Sequence, residues 1–261
     1  MSLEDKMLPD VIQPPSWIHH DGFYELEAPQ MSTAWMGARQ YRLTPSKWSN
    51  LDQKDKLTEL ADSVCGDPII NVNALPQEIQ EILHNEDNVR KAYIEAKTKS
   101  NRTRMCDIRT PGLIIPDPFN ARWDFVPKED RFLLLHLGCS PDLLWRDTQT
   151  KKLVCVELKQ PANGMIYPDV LRTKQIRRFH RQQVSGNGGI IQSLYNDYFV
   201  WTEKNGSITV QNKTSMADFQ RDVLNVLQFV KQHILVRPDS ANLELPRELR
   251  EYYEIERSKI D

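Results

Sequence analysis

The sequence predicts a mixed α/β fold, a mixed central sheet flanked by helices. Two observations carry this expectation. Between Pro111 and Gln211 the apolar residues follow the period of strands, and helical spacing precedes, interrupts and follows that stretch. At 261 residues the chain is long enough for one large α/β domain. We expect that domain over 31–237, with an N-terminal arm or loop over 1–30 and a charged C-terminal tail over 238–261.

Taken in order, residues 1–30 hold Pro9, Pro14, Pro15 and Pro29 and no sustained period, which reads as an arm or loop. Helical spacing begins near Thr33, breaks at Thr44-Pro45-Ser46 and resumes over 47–64, with Leu51, Leu57, Leu60 and Ala61 inward. Pro76 opens the clearest helix, running to about Lys99. Proline suits a first helical turn, and Ile79, Ile82, Leu83, Val89, Tyr93 and Ala96 recur at three and four. Glu86 falls on that apolar stripe, where a charge is costly unless a cation compensates it.

Strand patterns follow over 112–115, 132–137, 143–146, 152–158, 198–202 and 207–210. Between them, 168–183 reads as a basic helix with Arg177 and Arg181 on one side, able to track a phosphate backbone. The glycine-rich 185–189 lacks the spacing of a phosphate-binding loop and reads as a turn. Ser215 with Asp218 opens a last amphipathic helix whose face is Phe219, Val223, Val226, Leu227, Val230 and Ile234.

Composition narrows the function classes. Thirty-four basic against thirty-six acidic residues give a net charge of -2, so any affinity for nucleic acid must come from local patches. The four cysteines form no C-x-x-C pair, which argues against structural zinc and for reduced thiols in a cell. No run approaches the roughly eighteen apolar residues of a membrane span, and the first residues lack the pattern of a signal peptide. We expect an intracellular protein with no membrane partner, in cytoplasm or nucleus.

The chemistry concentrates in two segments, Ser140-Pro141-Asp142-Leu143 and Val156-Glu157-Leu158-Lys159, joined through a polar turn. Side chains alternate along a strand, so Glu157 and Lys159 share a face with Leu153 and Cys155, while Val154, Val156 and Leu158 cover the other. A Glu-x-Lys pair on a strand is commonly a solvated edge pair. Here it faces a neighbouring strand that brings Asp142, and a helix brings Glu86. Carboxylates so gathered suit a hard divalent cation, and a lysine two residues on can orient a water or offset charge on a phosphoryl transition state. No Ser/His/Asp or Cys/His order points to covalent catalysis.

These residues resemble the PD-(D/E)xK nucleases, and in particular their lambda-exonuclease-like, or YqaJ-like viral recombinase, branch. Four blocks match in order. The segment from Trp35 through Arg39 to Thr44-Pro45-Ser46 is similar to an N-terminal signature whose Arg and Ser hold a terminal phosphate, which implies 5′-phosphate binding by Arg39 and Ser46. Asn85-Glu86-Asp87-Asn88-Val89-Arg90 is similar to the helix that supplies an acidic ligand, matching Glu86. Ser140-Pro141-Asp142 with Glu157-Leu158-Lys159-Gln160-Pro161 is similar to the catalytic core, implying Asp142, Glu157 and the Leu158 carbonyl as metal ligands. Gln182-Gln183-Val184-Ser185 with Asp197-Tyr198-Phe199-Val200-Trp201-Thr202 is similar to a block whose first Gln reaches the active site, implying Gln183. Ser185 stands where the family has a second Gln, and Leu143 where it has Gly.

The resemblance spans roughly 33–212 and implies a restriction-endonuclease-like core. It implies a Mg²⁺-dependent 5′→3′ exonuclease on double-stranded DNA ends, with Mn²⁺ able to substitute. Such an enzyme leaves 3′ single-stranded tails for recombination or DNA processing, often beside a single-strand annealing protein. Some members are trimers and others monomers, so a homo-oligomer stays open. Two rival readings keep the same fold: an endonuclease, which has no need of the Arg39/Ser46 block, and a silent DNA-binding or assembly module, which would have lost a ligand or the lysine.

Overall fold

The computed structural model describes residues 16–66, 77–99, 105–161 and 163–260, with the backbone alone over 77–84. Residues 1–15 and Pro76, and the side chains of Ile79, Ile82 and Leu83, lie outside the described residues. The fold is mixed α/β, with a five-stranded sheet flanked by helices. Its strands are β3 (Met105–Arg109), β5 (Leu143–Asp147), β6 (Leu153–Lys159), β7 (Asn196–Thr202) and β8 (Gly206–Asn212), hydrogen-bonded in the order β3-β5-β6-β7-β8. Only β6 and β7 run parallel, because α5 (Pro168–Thr173) and α6 (Arg178–Ile191) intervene, whereas a tight turn joins β5 to β6.

The alternation along β6 feeds two different cores. Val154, Val156 and Leu158 pack with Leu143, Trp145 and Phe199 against Val89 and Tyr93 of α4 (Gln77–Lys99). Cys155 belongs to the main core on the other side, and Tyr198 and Val200 of β7 meet Val184 of α6 and Val170 of α5. The sheet is therefore clamped between α4 and the α5–α6 pair. Each fully buried Val or Leu there contributes about 1.5–3 kcal/mol.

Several elements differ from the sequence reading, each for a physical reason. Residues 17–26, read as arm or loop, form a hairpin, β1 (Trp17–His20) and β2 (Phe23–Leu26), which extends through β4 (Ile114–Pro116) into a second sheet. All four residues of β2 are buried, so it shows no two-residue alternation. The 31–64 stretch holds α1 (Thr33–Arg39), α2 (Pro45–Trp48) and α3 (Leu57–Cys65), with 3-10 turns between the last two.

The apolar run predicted as a strand over 132–137 is instead the end of a 3-10 helix, Lys128–His136. Phe132, Leu133, Leu134, Leu135 and His136 are all buried, and period cannot tell helix from strand in a run hidden on every side. The strand β3 was missed because it is a short edge with no buried residue and a register shift against β5.

The basic helix 168–183 is two helices, α5 and α6, with Lys174 in the left-handed conformation ending the first. The glycines read as a turn lie inside α6 and let it pack closely: a Cβ at Gly186 would come within 2.6 Å of Pro45, and one at Gly189 would collide with the Phe219 ring. Residues 238–260 carry α8 (Arg247–Arg257), whose Leu249 and Tyr253 join the main core to which α7 (Met216–Phe229) also contributes, Tyr253 lying against Phe132 and His136. Among the described residues no helix is long and apolar enough to cross a membrane.

Candidate active site

Glu157 is the centre of the candidate site. Its backbone position on a central strand leaves the residue 2% exposed, and three side chains satisfy its carboxylate. Lys159, two residues along the same face, donates from Nζ to Oε1. Gln183 Nε2 donates to the same oxygen at 2.6 Å, and Asn187 Nδ2 donates to Oε2 at 3.3 Å. Gln183 and Asn187 are four apart on α6, so one helix face delivers both amides.

Asp142 comes from the segment entering β5. The antiparallel register, with Leu143 opposite Val156, sets it beside Glu157, and its Oδ2 accepts the Leu158 N–H at 2.6 Å. Glu86 approaches from α4 and, with Asp142, Leu158, Lys159 and Arg90, lines a cavity of about 170 Å³. It does not lie on the buried stripe of α4: it is exposed, and faces the cleft instead.

The electrostatics follow from this crowding. Burial, then the Asp142 charge, push the Glu157 carboxyl up to about 7, with Lys159 pulling the other way. Burial also raises Asp142, against the opposing effects of Lys159 and the Leu158 N–H. Glu86 is raised by loss of water and then by Asp142. For Lys159 burial acts downward, but Glu157 and Asp142 outweigh it and the ammonium is held more firmly than usual.

Glu86 and Asp142, with Glu157 beside them, offer oxygen donors, and Leu158 lines the same small cavity. Hard donors of this kind suit Mg²⁺ or Mn²⁺ rather than zinc. Among the described residues no three Asp, Glu, His or Cys side chains gather closely enough to hold a metal ion by themselves. A magnesium site keeps waters and takes part of its ligation from substrate phosphate, so these carboxylates would supply only part of such a shell.

A larger cleft of about 930 Å³ joins the carboxylates to the N-terminal block. Glu86, Asp142 and Gln183 line it together with Arg39, Ser46, Arg90 and Arg109. Arg39 stacks over the Trp35 ring at 4.2 Å, and Thr44 bridges it to Ser46, with hydrogen bonds of 3.4 and 3.0 Å. Burial lowers the Arg39 guanidinium to about 10, which leaves it charged at neutral pH.

Two expected contacts are not brought to this cleft. Arg177 precedes α6, 3.5 Å from Asp169 and over the Tyr167 ring at 4.2 Å. Arg181 lines a separate groove of about 620 Å³ with Lys174 and Lys213. The break between α5 and α6 removes the single basic face that the sequence suggested. Asn187 was missed because its glycine neighbours made a turn of it, although its spacing from Gln183 is the signal that could have found it.

This architecture places the chain in the fold class of a solved nuclease. It is similar to the alkaline exonuclease LHK-Exo of Laribacter hongkongensis, with a TM-score of 0.54 and 18% identity over 87% of this chain and 98% of that one. The structure of LHK-Exo in complex with dAMP aligns with a TM-score of 0.53 at the same identity and coverage. No protein-family model matches the chain, and no curated protein matches it.

Proposed function

We propose that the protein is a metal-dependent exonuclease that degrades double-stranded DNA from its 5′ ends and leaves 3′ single-stranded tails for recombination or DNA processing. The observation that carries this reading is the cleft itself. It joins Asp142, Glu86 and Gln183, beside Glu157 and Lys159, to the Arg39–Thr44–Ser46 cluster, so one groove offers hydrolytic groups and an anion-binding end stop. The likeness to a protein described as an alkaline exonuclease, and to its dAMP complex, supports the same reading.

In this reading Glu86, Asp142, Glu157 and the Leu158 carbonyl hold Mg²⁺, with Mn²⁺ as substitute. When bound, the ion supplies Lewis-acid activation of the phosphate and of the attacking water. Lys159 and Gln183 orient that water and offset charge developing on the phosphate. Asn187 and Gln183 fix the Glu157 carboxylate in one rotamer. Arg39 and Ser46 take the 5′-phosphate, which sets the direction of travel. A single-strand annealing protein is the partner this product calls for, and the site of action is inside the cell, where the DNA is.

The test uses linear duplex labelled at the 5′ or 3′ end, with and without 5′-phosphate, beside supercoiled circles. The reading predicts loss from 5′ ends, faster with phosphate, and intact circles. Arg39→Ala should remove the phosphate preference, weakening end binding about 10- to 100-fold, the range of a charged hydrogen-bonded contact. Cut circles would replace the exonuclease with an endonuclease.

A further inference from the structure

With the carboxylates, Lys159 and Gln183 given to hydrolysis and Arg39 and Ser46 to the chain end, Arg90 is left without a role. It stands one turn after Glu86 on α4 and so shares its face. It lines both the large cleft and the small cavity formed by Glu86, Asp142, Leu158 and Lys159. One nitrogen, Nη1, pairs with the exposed Asp87. Its Nε is buried and has no acceptor among the described residues.

A buried guanidinium N–H without an acceptor is costly, and such a group calls for a water, an ion or a ligand to complete it. A ligand entering the cleft that Arg90 lines comes in beside the carboxylates and Lys159, and the planar fork of arginine matches the oxygens of a phosphate. Arg109, on the same cleft, is a poorer candidate because buried Glu25 already takes its guanidinium. Arg39 is already assigned to the chain end.

We infer that Arg90 binds a non-bridging oxygen of the phosphodiester being cut, a contact separate from the end-phosphate site of Arg39 and Ser46. The inference rests on the nuclease reading for the identity of its ligand. Negative charge on that oxygen grows as the nucleophile adds, so the contact strengthens in the transition state and acts on turnover more than on binding.

Arg90→Ala and Arg90→Lys should be compared with wild type in single-turnover cleavage of 5′-phosphorylated linear duplex. The expected result is a rate about 100-fold lower in Arg90→Ala. Affinity for DNA should fall by much less than the rate, the unfolding midpoint should change little, and guanidinium ion added to the buffer should restore part of the rate. Wild-type rates in the alanine variant would overturn the inference and leave the nuclease reading standing.

A second arm does not depend on turnover: binding of a short 5′-phosphorylated single strand, which can enter the site, in Ca²⁺, by wild type, Arg90→Ala and Arg39→Ala. If no DNA is cut by wild type, the nuclease reading fails. A weaker complex in Arg90→Ala would then still support a phosphate contact, and equal affinity would overturn it.

Discussion

Glu157 shows at the scale of one residue how a site is built against stability. Its carboxylate is buried beside Asp142 and is eased by Lys159 and two amides. A divalent cation should relieve this crowding and stabilise the folded chain by binding it alone. Mg²⁺ is therefore expected to raise the wild-type thermal midpoint and to leave that of Glu157→Gln nearly unchanged, as scanning calorimetry would read; equal shifts in both would remove Glu157 from the ligand set.

His136 offers a residue-scale prediction away from the site. Its Nδ1–H donates to the Tyr41 carbonyl at 2.8 Å, and its Nε2 accepts from the Tyr253 hydroxyl at 2.9 Å. Burial lowers it to about 3, so the folded chain keeps it neutral where an unfolded chain, near 6.5, takes up a proton. Its contribution is thus complete above pH 6.5 and is lost as pH falls from there towards 3, at about 1.4 kcal/mol per unit. Urea unfolding at pH 7 and pH 5 should show a smaller loss in His136→Gln than in wild type; identical losses would mean that His136 is not the group responsible.

At the scale of elements, α4 matters most because it carries Glu86 and Arg90. A buried network ties it to the sheet: Trp145 Nε1 donates to the Tyr93 hydroxyl at 2.9 Å, Tyr93 donates to Asp197 at 2.6 Å, and Lys97 pairs with Asp197 at 2.7 Å. Tyr93→Phe strands the Trp145 donor and should cost about 1–3 kcal/mol in urea unfolding. A loss of activity beyond the loss of folded protein would show that the network also positions Glu86.

The same scale shows what the sequence could reveal. Strands β5 and β6 and their turn were legible because β6 alternates between two cores, and α4 because Val89 and Tyr93 keep helical spacing. Strand β2 and the 132–136 end of the 3-10 helix were not, since residues buried on all sides carry no period, and β1 is four half-buried or exposed residues, too short to show one. Glycine misled at 186–189 because close helix packing, rather than a turn, requires it there.

At the scale of the whole molecule, the site is assembled from segments far apart in sequence. Arg39, Glu86, Asp142, Glu157 and Gln183 come from α1, α4, the lead into β5, β6 and α6. Asp142, Glu157 and Lys159 could be read as a local motif, Glu86 from helical spacing as well as by resemblance, and Arg39 and Ser46 by resemblance. The departure of Arg181 into another groove could not, because it depends on where α5 stops. The C-terminal helix belongs to the same packing unit, so ending the chain at Arg237 would uncover the pocket filled by Leu249 and Tyr253. That truncation should lower stability by more than 3 kcal/mol, about the cost of emptying two large core positions.

The central claim is that Asp142, Glu157 and Lys159 form a metal-dependent hydrolytic centre. The most direct test is nucleotide release from linear duplex DNA by wild type, Glu157→Gln and Lys159→Ala, each in Mg²⁺ and in EDTA, with folding checked by circular dichroism. The account predicts release by wild type in Mg²⁺ alone and a loss of at least about 100-fold in both folded variants. Undiminished release by either variant, or by wild type in EDTA, would contradict it.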